Sequence, residues 1–179
     1  KLFSNWYLPT KIKKNETEVL NELNKILKKV IRKLMIKKRV LVHRDFHISN
    51  IMLNRKKIYL IDTQDIIYGN PAYDVASLID DVRFKISLKN REILYKNFIL
   101  NEKKNFSSKL RNDFEILSTL RNLKIIGIFT RLSKRDKKYS YVKMIPYAWQ
   151  MIEERLTQNS NLYELKSFFD RYFPKNLRI

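Results

Sequence analysis

Two carboxylates and one amide, Asp45, Asn50 and Asp62, stand at spacings that suit phosphoryl transfer. They lie in Val42-His43-Arg44-Asp45-Phe46-His47-Ile48-Ser49-Asn50 and in Leu60-Ile61-Asp62-Thr63-Gln64-Asp65. Moving a phosphoryl group from a nucleotide requires little covalent help from protein. It requires an acceptor hydroxyl oriented by a carboxylate, and cations that neutralise phosphate charge. Asp45, on a loop that follows a short apolar run, is suited to take the acceptor's proton. Asn50 offers an amide oxygen and Asp62 a carboxylate, both hard ligands of the kind Mg²⁺ prefers.

The elements that must position these groups are three short β-like runs: Val40-Leu41-Val42, Ile51-Met52-Leu53 and Ile58-Tyr59-Leu60-Ile61. Asn54 to Lys57 is polar, as a hairpin loop should be. That hairpin folds Asp62 back towards Asn50. His43 and His47 are the only histidines, and there is no cysteine, so a zinc site lacks a third nitrogen or sulfur ligand nearby. Both are expected to be partly buried and to hold the loop by hydrogen bonds. Asp65 has two readings, a contact to a second ion or substrate, or the cap of the next turn.

Before this unit, residues 1–14 read as irregular, with Pro9 as a breaker. Asn15 reads as an N-cap with Glu18 three residues on. Val19, Leu20, Leu23, Ile26, Leu27, Val30, Ile31 and Leu34 then predict an amphipathic helix over about 16–37. After Pro71 the chain reads helical: Val75, Leu78, Ile79 and Val82 form one stripe, and Ile93, Leu94, Phe98 and Ile99 another. Ser107 or Ser108 is expected to cap a third helix running to Phe129. Residues about 139–156 and 161–173 give two more, with Pro146 disturbing the first. Aromatic residues in these helices, and Trp6 and Tyr7 ahead of them, are read as core rather than as platforms for a ligand.

The 179 residues fit one domain, 1–179, and 44% hydrophobic content suits a packed core. The first residue is Lys1, not Met, which suggests a fragment or a processed product. No apolar run reaches the length of a membrane span, and the start has no secretory pattern, so a cytoplasmic location is expected. Net charge is +20, with lysines spread along the chain rather than in one block. A basic surface favours anionic ligands such as nucleotides; nucleic acid is not the expected partner.

The segment 43–62 resembles the H-x-D-x-x-x-x-N loop shared by protein kinases and the aminoglycoside phosphotransferase/choline kinase-like family. Position 47 is histidine where protein kinases carry lysine, and Asp62-Thr63-Gln64 stands where they carry D-F-G. Both differences favour the small-molecule branch. Gly69-Asn70-Pro71-Ala72-Tyr73-Asp74 and Arg121 to Leu132, followed by Arg135-Asp136, are similar to a bacterial subgroup that includes anomeric kinases of N-acetylmuramate and N-acetylglucosamine, which serve cell-wall recycling.

The resemblance implies an α+β, mostly helical fold: the C-terminal lobe of a protein-kinase-like enzyme, with a few short strands around the catalytic loop and the N-terminal lobe absent. It implies ATP as phosphoryl donor, an amino-sugar acceptor, Asp45 as catalytic base, and Asn50 and Asp62 as Mg²⁺ ligands. It gives His43 a structural role and Asp74 a bond to the catalytic-loop backbone, with His47 and Asp65 in support. A kinase of aminoglycosides or choline, an inactive basic binding module and a protein kinase are the competing readings. Only Gly69 and Gly127 are glycines, so no Gly-rich phosphate loop is present, nor a Walker motif.

Overall fold

The structure is a computed structural model that describes residues 1–100 and 103–178, without the side chain of Asn105. It is mostly helical with four short strands. The chain falls into two compact units. One comprises Lys1–Leu34 with Thr119–Ile179, and the other Met35–Ser118.

The first unit opens with a turn of π-helix, Phe3–Tyr7, running into α1 (Leu8–Lys11). The expectation of irregular chain over 1–14 is therefore corrected. Pro9 lies in the first turn of α1, where its missing N–H and fixed φ do no harm. α2 (Glu16–Arg32) buries Val19, Leu23, Ile26 and Val30 along one stripe. Asn15 does stand at its N-cap position, but in a left-handed conformation and without a side-chain capping bond. α5 (Lys104–Asp136) is one helix of 33 residues whose second half belongs to this unit. Because it starts at Lys104, Ser107 and Ser108 lie inside it rather than capping it. α6 (Ile145–Gln158) starts with Pro146 in its first turn, and α7 (Tyr163–Tyr172) follows.

Aromatic rings form the core of this unit. Phe3, Tyr7, Trp149, Phe169 and Phe173 meet with centroids 5.1–6.1 Å apart. Tyr7 Oη donates to Leu177 O at 2.6 Å and accepts from Trp149 Nε1 at 3.0 Å. Gly127 of α5 lies against the start of the chain. A methyl group there would sit 2.3 Å from the Leu2 carbonyl carbon, so only glycine allows that approach.

The second unit carries the strands. β1 (Val40–Val42) pairs antiparallel with β4 (Ile67–Gly69), and β2 (Ile51–Asn54) pairs antiparallel with β3 (Lys57–Leu60). β4 is an addition to the three expected runs. The β2–β3 hairpin turns through Arg55 and Lys56, both at positive φ, the backbone demanded by a two-residue loop of this hand. α3 (Ala72–Ile79) and α4 (Leu88–Ile99) follow, the latter capped by Ser87, which accepts from Asn90 N. Ala72, Ala76, Ile79, Tyr95, Leu110 and Phe114 form this unit's core. Beside it Asp80 is fully buried and accepts from Arg91 at 3.0 Å and from Ser118 at 2.5 Å. The charge of a buried carboxylate is tolerated only with such partners.

Burial pushes the Tyr7 phenol up to about 12, against smaller lowering effects from the Trp149 hydrogen bond and the Arg178 charge. A raised value favours the neutral phenol in the folded state. Its contribution is thus complete below about pH 10 and is lost as pH rises to about 12, amounting to roughly 2–3 kcal/mol. Urea unfolding across that window should show the stability gap between wild type and Tyr7→Phe shrinking by about this amount. A gap independent of pH would contradict the buried setting of Tyr7.

Candidate active site

β1 ends at Val42, whose side chain packs against Gly69 of the paired strand. A methyl group added at Gly69 would meet Val42 Cγ2 at 3.1 Å. The chain then leaves the ladder as a loop. Arg44 adopts φ 74°, a strained conformation for a long side chain. Asp74, in the first turn of α3, holds it there: one carboxylate oxygen accepts from His43 N at 2.6 Å and the other from Arg44 N at 3.0 Å.

Beyond Asp45 the loop closes on itself. His47 N donates to Asp45 O at 3.0 Å, and Asn50 N donates to His47 O at 2.9 Å. The Asn50 side chain is buried, and its Nδ2 donates to Asp45 O at 2.9 Å. An amide whose nitrogen is committed in this way has its oxygen arm turned the other way, available as a ligand.

Ile61 joins the second acidic segment to this loop. Its N–H donates to Asn50 O at 3.1 Å, and its carbonyl accepts from His43 Nε2 at 2.9 Å. A carbonyl only accepts, so His43 carries its proton on Nε2. The other ring nitrogen, Nδ1, is buried without a partner among the described residues. Asp62 follows at φ 64°, which turns the chain sharply away from the hairpin. Ile66 N donates to Thr63 O at 3.3 Å, closing a turn over Gln64 and Asp65.

The backbones carrying Asp45, Asn50 and Asp62 are therefore bonded into one assembly through Asn50 and Ile61. Among the described residues, nothing forms a hydrogen bond or ion pair with the side chains of Asp45, Asp62 or Asp65. Asp62 and Asp65 are exposed, Asp45 and Asp74 half-buried, and His43 and His47 buried. A cavity of about 220 Å³ beside the loop is lined by Leu41, His43, Phe46, Leu60, Ile66 and Asp74. Among the described residues, no three or more His, Cys, Asp and Glu side chains cluster as metal ligands. Ile61 was not singled out from the sequence; its role is carried by backbone atoms, which leave no compositional mark.

Residues 3–95 match the model of the phosphotransferase enzyme family, and the chain belongs to that family. It is 28% identical over 144 residues to the N-acetylmuramate/N-acetylglucosamine kinase of Caulobacter vibrioides, covering 78% of this chain and 39% of that protein. It is 29% identical to the kinase of the same name from Pseudomonas aeruginosa, covering 92% of this chain and 51% of that protein. The kinase of that name from Neisseria meningitidis serogroup B is 29% identical, with coverage of 81% and 46%. The chain spans about half the length of these curated relatives, or less. Among the described residues, no helix is long and apolar enough to cross a membrane.

Removing the Asp74 carboxylate leaves two backbone donors unmatched next to a strained residue. Asp74→Ala is expected to lower unfolding free energy by roughly 2–4 kcal/mol. Urea denaturation measures it, and a loss below about 0.5 kcal/mol would show that Asp74 does not hold the loop.

Proposed function

We propose that the complete protein is an ATP-dependent sugar kinase, transferring the γ-phosphoryl group to a hydroxyl of N-acetylmuramate or N-acetylglucosamine in cell-wall recycling in the cytoplasm. Family membership and the names of the relatives support the class and the acceptor. The observation that carries the reading is the bonding of Asn50 and Ile61, which ties the segments of Asp45 and Asp62 together.

In this reading Asp45 orients the acceptor hydroxyl and takes its proton. Asn50 Oδ1 and the Asp62 carboxylate hold Mg²⁺, which when bound neutralises phosphate charge as it develops. His43, through its bond to Ile61 O, and Asp74, through the amides of His43 and Arg44, keep the loop in shape. His47 closes the loop behind Asp45, and Asp65 supports the site from the turn after Asp62. The positive net charge of the chain suits an anionic nucleotide better than a cationic aminoglycoside or choline.

The groups that cover the nucleotide are assigned to an N-terminal lobe outside these 179 residues, making this chain the C-terminal lobe. Two features support that division. The sequence has no glycine-rich loop, and the β2–β3 hairpin displays large apolar side chains on the surface, with Leu53 and Ile58 each 75% exposed. Apolar side chains gathered in this way mark an interaction surface. The 179 residues alone are accordingly expected to give no appreciable turnover of ATP with either amino sugar. Robust turnover in a coupled assay would refute the two-lobe division.

In the complete protein, Asp45→Asn should lower kcat by about 10²–10⁴-fold, the usual contribution of a general base. Asp62→Ala should shift the Mg²⁺ dependence of turnover to higher concentration. Unchanged kcat in the first variant, or an unchanged Mg²⁺ titration in the second, would remove that residue from the mechanism.

A further inference from the structure

Asp113 of α5 is completely buried, yet its carboxylate touches no cation among the described residues. Four donors satisfy it instead. Oδ1 accepts from Met35 N at 2.8 Å and from Asn112 Nδ2 at 2.9 Å, while Oδ2 accepts from Ile36 N at 2.9 Å and from Asn70 Nδ2 at 2.6 Å. A buried charge is a costly way to fill space, since an apolar side chain of similar size needs no donors at all. Two of the donors are backbone amides just ahead of β1, and a third is the side chain directly after β4.

Those positions share one geometry. The ladder register pairs Val40 with Gly69, so Met35-Ile36 and Asn70 flank the same end of the β1–β4 pair. Asp74 grips the chain at the opposite end, through the amides of His43 and Arg44. Asn70 links the two carboxylates. Its Nδ2 is held by Asp113, its Oδ1 accepts from Ala72 N at 3.0 Å, and its carbonyl accepts from Tyr73 N at 3.1 Å. It thereby starts α3, whose first turn carries Asp74.

We propose that Asp113 and Asn70 are positioning residues for the catalytic loop, acting through the start of α3 and Asp74 on the backbone of His43 and Arg44. The links are hydrogen bonds joined by the first turn of α3, all within the unit of residues Met35–Ser118. The importance of the relay for phosphoryl transfer rests on the function proposed above; its existence does not. Loosening Asn70 lets α3 begin in a different place. Asp74 then no longer matches the two loop amides, and the carbonyl of Asp45, which Asn50 and His47 both use, loses its fixed position.

Hydrogen–deuterium exchange of the complete protein tests this without reference to turnover. Asn70→Ala and Asp113→Asn are compared with Ser118→Ala, which removes a hydrogen bond from another buried carboxylate of this unit, Asp80. The two relay variants should speed exchange at residues 43–47 by about tenfold or more, the equivalent of one lost hydrogen bond. Ser118→Ala should lower Tm yet leave that segment within about twofold of wild type. Where Asp113→Asn does not fold, Asn70→Ala alone carries the test. Wild-type exchange at 43–47 in Asn70→Ala, or an equal rise in all three variants, would overturn the proposal. If the protein is the proposed kinase, Asn70→Ala should also lower kcat while leaving KM for ATP within about twofold; a change in KM alone would overturn the positioning role.

Discussion

The site depends on how one residue is held. Ile61 is bonded on its N–H side to the carbonyl of Asn50 and on its carbonyl side to the imidazole of His43. The first bond continues the β2–β3 ladder by one residue, since Ile51 already pairs with Leu60. The second crosses to His43, at the start of the loop that carries Asp45. A single residue therefore fixes Asp62 to both ends of the segment that carries Asp45. Without that double attachment, Asp62 would ride on an element independent of the loop that carries Asp45 and Asn50.

Strain and compensation are paired around this point. Arg44 and Asp62 both take left-handed backbone conformations, one on each side of the loop. Such residues typically cost about 1–3 kcal/mol each and persist only where their surroundings over-determine them. Here the surroundings are specific. Asp74 accepts the amides of His43 and Arg44, and the residue before Asp62 is bonded at both its N–H and its carbonyl. The buried carboxylate of Asp113 extends the same logic to the far end of the β1–β4 ladder, where it accepts four donors. Polar groups that would otherwise be liabilities in the interior are spent on holding backbone.

Much of this was legible in the sequence, and the exceptions have physical causes. The α2 stripe, the hairpin with its polar turn and the grip of Asp74 on the loop were read from residue types and spacing or from the family resemblance. The end of α2 was not: Leu34 and Ile36 continue the apolar pattern, so a helix to about 37 was expected, yet it stops at Arg32. The amides of Met35 and Ile36 are captured by Asp113, a residue far along the chain, and so cannot continue the helical bonding pattern. β4 escaped because Ile67-Tyr68-Gly69 ends on glycine and lacks the unbroken β-branched and apolar run that marks Val40-Leu41-Val42. The helical start at Phe3–Lys11 escaped because Pro9 was read as a breaker, whereas it occupies the first turn, where proline is welcome. In each case a long-range bond or a position within an element decided what local pattern could not.

Asn50 and Asp62 are proposed to share one cation beside Asp45. The most direct measurement replaces Mg²⁺ by paramagnetic Mn²⁺ in the complete protein bound to a non-hydrolysable ATP analogue, and follows backbone amide signals by NMR. The amides of Asp45, Asn50 and Asp62 should broaden together at low Mn²⁺, ahead of those in α7. Sharp signals at any of these three positions, with the ion bound elsewhere, would contradict it.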